Sequence, residues 1–241
     1  MTTDAAAEAR SPMGRLARLR AAASDPGSLR LWTAVANDGI IATAGILEGF
    51  AGAGANDRSL LLVAIIATVA GMLAAGGIEW AQAATEREAQ QTAAADEARE
   101  LARDPAAEAD ELAEYYRSRG VEPELAAEVA RQLMAHDALA AQLETEHGIR
   151  RVMSAAETVS TGIGAVVAYA IGAVIPLLIT AFVPQRAETW SIVLAVLVSL
   201  VVTSIVGARS GHTNVVRTLA RTLAVGAGTL IVSYLVGQLI T

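Results

Sequence analysis

LWTAVANDGIIATAGILEGFAGA, residues 31–53, is an apolar stretch that carries two acidic side chains, Asp38 and Glu48. As a helix it is long enough to cross the roughly 30 Å hydrocarbon core of a bilayer. At about 1.5 Å rise per residue, the two carboxylates would stand roughly 15 Å apart along the axis. A charged group there costs of order 3 kcal/mol on insertion scales, so it usually marks a polar pathway. The stretch therefore predicts a membrane protein that moves a cation.

Four more apolar stretches follow, at 60–84, 159–183, 190–208 and 219–240. Each is near or above the length that a transmembrane helix needs. We therefore expect an all-α polytopic membrane protein with five transmembrane helices. The composition agrees, because 54% of the 241 residues are hydrophobic and the mean hydropathy is +0.43. The chain contains no cysteine, which excludes a disulfide framework and a thiolate metal site.

One long polar segment separates the second and third stretches and predicts a helical cytosolic insertion. It holds 16 Asp or Glu residues between 86 and 146, against 8 Arg between 87 and 151. Pro105 and Pro123 fit the first turns of two helices, and Gly120 and Gly148 fit helix ends. The preceding helix should continue from span two, giving three or four helices in all. The predicted domains are an N-terminal tail (1–29), helices 1–2 (30–84), the acidic insertion (85–155) and helices 3–5 (156–241).

The distribution of arginine predicts the orientation in the membrane. Five arginines precede the first span and three lie between the fourth and fifth spans, whereas each short turn on the other side carries one. By the positive-inside rule, the N-terminus, the insertion and the 209–218 loop are cytosolic and the C-terminus lies opposite. Residues 1–12 lack the features of a secretory signal, so a bacterial plasma membrane fits best and an organelle stays open.

The insertion supplies a candidate metal site. Oxygen-only carboxylate clusters suit Mn²⁺ and Fe²⁺, and also Mg²⁺ or Ca²⁺. A solvated acidic face without a ligand is the alternative. Five acidic residues at helical spacing would share one face, although Pro105 bends the line: Glu97, Glu100, Asp104, Glu108 and Glu111. Glu144 and Glu146 close the last predicted helix. The three histidines are too scattered to propose a histidine site: His136, His147 and His212.

Individual carboxylates in the spans allow a functional and a structural interpretation. Asp38 lies roughly 10 Å deep, where a short side chain cannot easily reach the interface, so we favour function over pairing with Arg30. Glu48 could act within the membrane or reach the opposite interface. Glu79 fits an interfacial position or a role at the cytosolic mouth. Glycines within the spans predict close helix packing, including a dimer contact along the first span.

Several segments together resemble the vacuolar iron transporter family, which carries Fe²⁺ and Mn²⁺ out of the cytosol. They are ANDGI at 36–40, the segment from Val69 to Glu79, the acidic insertion and GAVIPLL at 172–178. The resemblance implies a homodimer whose first spans line an ion path containing Asp38, and transport similar to H⁺ antiport. It also implies a set of metal-binding glutamates: Glu97, Glu100, Glu108, Glu111 and Glu146.

The chain departs from the family pattern at several positions. Ala75 stands where the family usually has a methionine, and Met72, one turn earlier, could substitute for it. Gln142 and Leu143 replace methionines of plant members. Loss of thioether ligands makes a harder ion such as Mn²⁺ more favourable relative to Fe²⁺. Glu48 is outside the pattern and could supply the missing ligand.

We therefore expect a Mn²⁺/Fe²⁺ exporter, with proton antiport, capture by cytosolic glutamates and passage via Asp38. A membrane-anchored metal sensor or scaffold without flux is the alternative. The chain shows no Ser/His/Asp set, no HExxH motif and no nucleotide loop, so an enzyme is not expected. The expected partners are divalent metal ions, protons, the lipid bilayer and a second copy of the chain, with no tightly bound cofactor and no nucleic acid.

Overall fold

A computed structural model of the chain describes residues 26–183 and 185–240, so most of the predicted tail (1–29) lies outside the described residues. Within these ranges the structure consists of seven helices and contains no strand. The helices are α1 (Pro26–Gly52), α2 (Asp57–Arg103), α3 (Pro105–Arg117), α4 (Pro123–Glu146), α5 (Ala155–Phe182), α6 (Gln185–Ser210) and α7 (Val215–Ile240). The prediction of an all-α fold is confirmed.

Four of the described helices are long and apolar enough to cross a membrane. They are Arg58–Arg103, Ala155–Phe182, Trp190–Ser210 and Val215–Ile240, and they correspond to predicted spans two to five. The polytopic membrane architecture is therefore confirmed. Helix α1 has 27 residues and is long enough to span, but its polar residues Asn37, Asp38 and Glu48 reduce its hydropathy. Its assignment as a fifth span stays a prediction.

The first of two compact units contains the apolar helices, up to Ile78 and again from Gly162. In this unit α1 packs against α6 and α7, and α6 packs against α7. The core between these helices includes Ile40, Leu47 and Leu200, all of which are buried. Large apolar side chains such as those of Leu73 and Leu194 remain exposed on the outside of the unit. An outer surface of this kind suits contact with lipid.

Glycines allow α1 to approach α5 at backbone distance. A Cβ atom at Gly39 would clash with the carbonyl oxygen of Tyr169, and one at Gly172 would clash with the carbonyl oxygen of Ala36. Small residues permit such close helix contacts, as the glycine-rich spans predict. The ANDGI segment therefore lies at a tightly packed helix crossing.

The second compact unit runs from Glu79 to Thr161 and contains the end of α2 together with α3 and α4. Helix α3 packs against α4 around the buried residues Leu112, Ala113 and Ala130. Pro105 and Pro123 occupy the first turns of α3 and α4, as predicted. The Asp104 carboxylate accepts a hydrogen bond from the Ala107 N–H at 3.1 Å and so caps α3.

Helix α4 contains an interruption that the sequence analysis does not anticipate. Asp137 has φ −160° and ψ 91°, so the helix breaks and restarts there. The Asp137 carboxylate accepts a hydrogen bond from the Ala140 N–H at 3.0 Å, which caps the second half. This half ends at Glu146, with no basic residue in its last turn. The break leaves Glu146 at the end of a short, separately capped helical segment.

Candidate metal site

Five glutamates that the sequence singled out come together in the unit 79–161. Glu97 and Glu100 lie on α2, Glu108 and Glu111 on α3, and Glu146 at the end of α4. Among the described residues, potential ligand atoms lie within 4.8 Å of one another in three overlapping groups. These groups are Glu97–Glu100–Glu108, Glu97–Glu146–His147 and Glu108–Glu111–Glu146. Three helices thus supply one continuous set of oxygen donors.

Two of these carboxylates are buried, which sets the electrostatics of the group. The Glu97 side chain is only 1% exposed, and Glu108 is also buried. Burial raises the pKa of Glu97 to about 7, helped by the negative charges of Glu146, Glu108 and Glu100 and by a hydrogen bond with Glu108. Burial, followed by the charge of Glu111, also raises the pKa of Glu146. A divalent cation among these oxygens would offset the same repulsion that otherwise favours protonation.

Gln142 links α4 to the buried carboxylate of α3. Its side chain is fully buried, and its Nε2 group donates to the backbone carbonyl oxygen of Glu108 at 2.7 Å and to Glu108 Oε2 at 3.0 Å. Buried polar groups normally require partners of this kind. The amide therefore fixes Glu108 against α4.

His147 is a potential ligand that the sequence analysis missed. The prediction that the histidines are too scattered is wrong for this residue, because its Nε2 lies 3.9 Å from Glu97 Oε2. His147 follows Glu146 directly, so the end of α4 brings both side chains to α2. The adjacency of His147 to a predicted ligand was the available signal.

Two other acidic residues of this unit lie outside the three groups. Glu144 is exposed, and its Oε1 lies 3.1 Å from Arg150 Nε in an ion pair. Asp104, which shares the helical spacing of the glutamates, uses its carboxylate to cap α3. Spacing alone does not distinguish such residues from ligands, since the chain direction changes at Pro105.

Asp38 lies in the other compact unit, on an exposed face of α1. Its neighbours in sequence are engaged: the Thr203 hydroxyl donates to Asn37 Oδ1, and Gly39 contacts the Tyr169 backbone. Among the described residues, the Asp38 carboxylate has neither a hydrogen-bond nor an ion-pair partner. The close packing around Asp38 thus fixes α1 while the carboxylate points away from the bundle.

The remaining predicted site residues lie apart from the glutamate groups. Glu48 is buried within the apolar unit, and Glu79 is half-buried on α2. Met72 packs against the cluster formed by Val35 and Tyr169, as does Ala75. Met72 therefore borders the same core as the alanine that it was suggested to replace. The apolar unit holds no group of three close carboxylates or histidines among the described residues.

Comparison with known proteins places this chain in a family. Residues 29–238 match the sequence model of the VIT family, the vacuolar iron transporter family. The match covers most of the chain, so the chain belongs to this family, and the resemblance seen in the sequence is confirmed. No curated protein sequence matches the chain. The VIT family is a family of divalent-metal transporters, which agrees with an acidic group that could bind metal.

Proposed function

We propose that this member of the VIT family exports Mn²⁺ or Fe²⁺ from the cytosol in exchange for protons. The glutamates of α2, α3 and α4 capture the metal ion, and Asp38 passes it through the membrane at an interface between two copies of the chain. The observation that carries this proposal is the convergence of five carboxylates from three helices around the buried Glu97 and Glu108.

The ligand chemistry supports a borderline divalent cation. Carboxylate oxygens bind Mg²⁺, Ca²⁺ and Mn²⁺, whereas an imidazole nitrogen adds affinity for transition metals such as Fe²⁺. The group around Glu97, Glu146 and His147 combines both donor types. The absence of cysteine from the chain removes the soft thiolate ligands that would favour other ions.

The raised pKa of Glu97 supports exchange of metal for protons. With a pKa of about 7, this carboxyl group holds a proton for part of the time at neutral pH. A metal ion that binds there displaces the proton, and a proton that returns weakens the hold on the metal. Competition of this kind is the elementary step that a proton-coupled transporter requires.

The exposure of Asp38 supports a role for a second copy of the chain. A carboxylate on the outer face of a spanning helix would meet hydrocarbon at a cost of a few kcal/mol. Association through α1 would bring two Asp38 carboxylates to one shared, polar interface, where a cation is stabilised. The proposed membrane is a bacterial plasma membrane, with the N-terminus and 85–155 on the cytosolic side.

Metal flux into proteoliposomes tests the proposal. We expect saturable uptake of Mn²⁺ or Fe²⁺ with a change in internal pH, and at least a tenfold loss of rate in Asp38→Asn, because the amide carries no charge to hold a cation. Asp110→Asn is the matched control, because Asp110 is exposed and belongs to none of the metal groups. Wild-type flux in Asp38→Asn would contradict the proposed path.

A membrane-anchored metal sensor is the second candidate. It is favoured by the confinement of all three metal groups to one compact unit, which can bind metal whether or not the spans conduct. Metal binding by the purified full-length protein, without any flux in the same liposomes, would select this candidate.

A further inference from the structure

We propose that the side-chain oxygen of Gln142 is a metal ligand of the cytosolic site, and that it favours Mn²⁺ over Fe²⁺. This inference rests on the proposed capture of metal by the glutamate groups and deepens it. Gln142 lies on the second half of α4, one helical turn before Glu146, so both side chains lie on the same face.

The orientation of the Gln142 amide follows from its hydrogen bonds. The backbone carbonyl oxygen of Glu108 can only accept, so the group that it contacts at 2.7 Å must be the NH₂ end of the amide. The same NH₂ group reaches Glu108 Oε2 at 3.0 Å. The carbonyl end, Oε1, is therefore directed away from these two acceptors.

The Oε1 atom is a buried acceptor without a hydrogen-bond partner among the described residues. A buried polar atom left unpaired costs about 1–3 kcal/mol, so native proteins rarely retain one without a reason. Gln142 is 0% exposed, so bulk water does not supply the missing partner. The structure thus contains an acceptor that is ready for a cation.

The surroundings of Gln142 belong to the metal site. Gln142 lines an open pocket of about 250 Å³ together with Glu111 and Glu146. These two glutamates form one of the metal groups with Glu108, which Gln142 holds directly. An ion bound by Glu108, Glu111 and Glu146 would therefore have the Gln142 amide beside it.

The chemistry of the amide oxygen determines which ion benefits. Side-chain carbonyl oxygens are hard, neutral ligands that suit Mg²⁺, Ca²⁺ and Mn²⁺. Adding one to three carboxylates increases the number of oxygen donors without adding further negative charge to a group that already repels itself. The oxygen donor set around Glu108 therefore favours the harder Mn²⁺ relative to Fe²⁺.

Binding of Mn²⁺ and of Fe²⁺ to the full-length protein in detergent, under anaerobic conditions, tests the inference. Methionine is unbranched and close in length to glutamine, so Gln142→Met removes the oxygen while filling the space. We expect the Mn²⁺ affinity to fall about tenfold or more, with a smaller loss for Fe²⁺ because a thioether is a softer ligand. Gln132→Met is the matched control, since Gln132 is exposed on α4 and bonds only Glu128.

The possible results separate a ligand from a structural support. An equal loss of affinity for both ions would overturn the inference, because Gln142 would then act only by holding Glu108. Unchanged Mn²⁺ affinity in Gln142→Met would also overturn it, while leaving the proposed transport intact. Wild-type protein that binds neither ion would overturn both this inference and the capture step of the proposed function.

A spectroscopic measurement on unaltered protein covers the case in which Gln142→Met does not fold. Wild-type protein labelled with ¹³C at the glutamine side-chain carbonyl is loaded with Mn²⁺ and examined by electron–nuclear double resonance. We expect a strong hyperfine coupling to the carbon bonded to a coordinated oxygen. The absence of this coupling in Mn²⁺-loaded protein would overturn the inference.

Discussion

Consecutive residues of the ANDGI segment face different partners, and each partner constrains the next. The Ala36 carbonyl oxygen lies against Gly172, Asn37 accepts a hydrogen bond from Thr203, and Gly39 lies against the backbone of Tyr169. Asp38 is the residue of this segment that remains exposed. The requirement for small or polar neighbours thus follows from packing, whereas the requirement for Asp38 follows from its proposed chemistry.

Metal binding at the glutamate groups should depend on pH near neutrality. Because the pKa of Glu97 is raised to about 7, protonation below this pH competes with metal. We expect Mn²⁺ affinity in the full-length protein to fall steadily as the pH is lowered from about 8 to about 6. Calorimetric titration across this interval measures the effect, and an affinity independent of pH would contradict the assigned role of Glu97.

The stability of the metal-free protein should change in the opposite direction. A carboxyl group whose pKa is higher when folded than its ordinary 4.5 binds more protons in the folded state. The unit 79–161 therefore gains stability as the pH falls from about 7 towards 4.5, provided that a chelator is present. A thermal midpoint that rose with pH in this range would contradict this part of the prediction.

At the scale of residues, the sequence predicted ligands where the helical repeat is local. Glu97 and Glu100 on α2, and Glu108 and Glu111 on α3, follow directly from spacing. The sequence did not identify His147, because its contact with Glu97 depends on how α4 returns to α2. The unpaired oxygen of Gln142 is equally invisible in sequence, since it follows from burial.

At the scale of helices, local signals predicted the starts but not the interruption. Pro105 and Pro123 define the first turns of α3 and α4 through their fixed φ angles and missing N–H groups. The break at Asp137 has no comparable signal, because aspartate in a helix can equally well point into solvent. Helix α1 is the other difference: its polar residues, useful as functional signals, reduce its hydropathy.

The crossing of α1 and α5 should not tolerate a single methyl group. In Gly172→Ala the new Cβ would meet the backbone carbonyl of Ala36, which cannot move as a flexible side chain can. Overpacking of this kind costs about 1–3 kcal/mol, so we expect a lower free energy of unfolding and a lower thermal midpoint in detergent.

Gly77→Ala provides the matched control for this crossing. A Cβ at Gly77 meets no atom within 4 Å, although the residue also lies within a helix. Replacing a helical glycine by alanine in open space should leave the thermal midpoint unchanged or raise it slightly. Equal destabilisation by both substitutions would contradict the packing argument.

At the scale of the whole molecule, the exposed face of α1 predicts association of two copies. Ala34 lies one helical turn before Asp38 on this face and is also exposed. Because the chain contains no cysteine, Ala34→Cys introduces a single thiol. We expect mild oxidation of membranes to give a disulfide-linked dimer, which non-reducing electrophoresis detects.

The control for this experiment places the thiol on a different helix. Val198 is exposed on α6, so Val198→Cys should remain monomeric under the same oxidation. Cross-linking of Val198→Cys but not of Ala34→Cys would assign the interface to α6 and remove Asp38 from a shared path. Monomers in both variants would contradict association through α1.

The short second half of α4, which runs from the cap at Asp137 to Glu146, has an electrostatic consequence. Its aligned peptide dipoles place about half a negative charge at the C-terminal end, where Glu146 lies with no basic residue in the last turn. An anion at that end is destabilised, whereas a cation bound there is stabilised by the helix itself. Metal binding should therefore tighten the final turn of α4, so that the backbone of the protein registers whether the site is loaded.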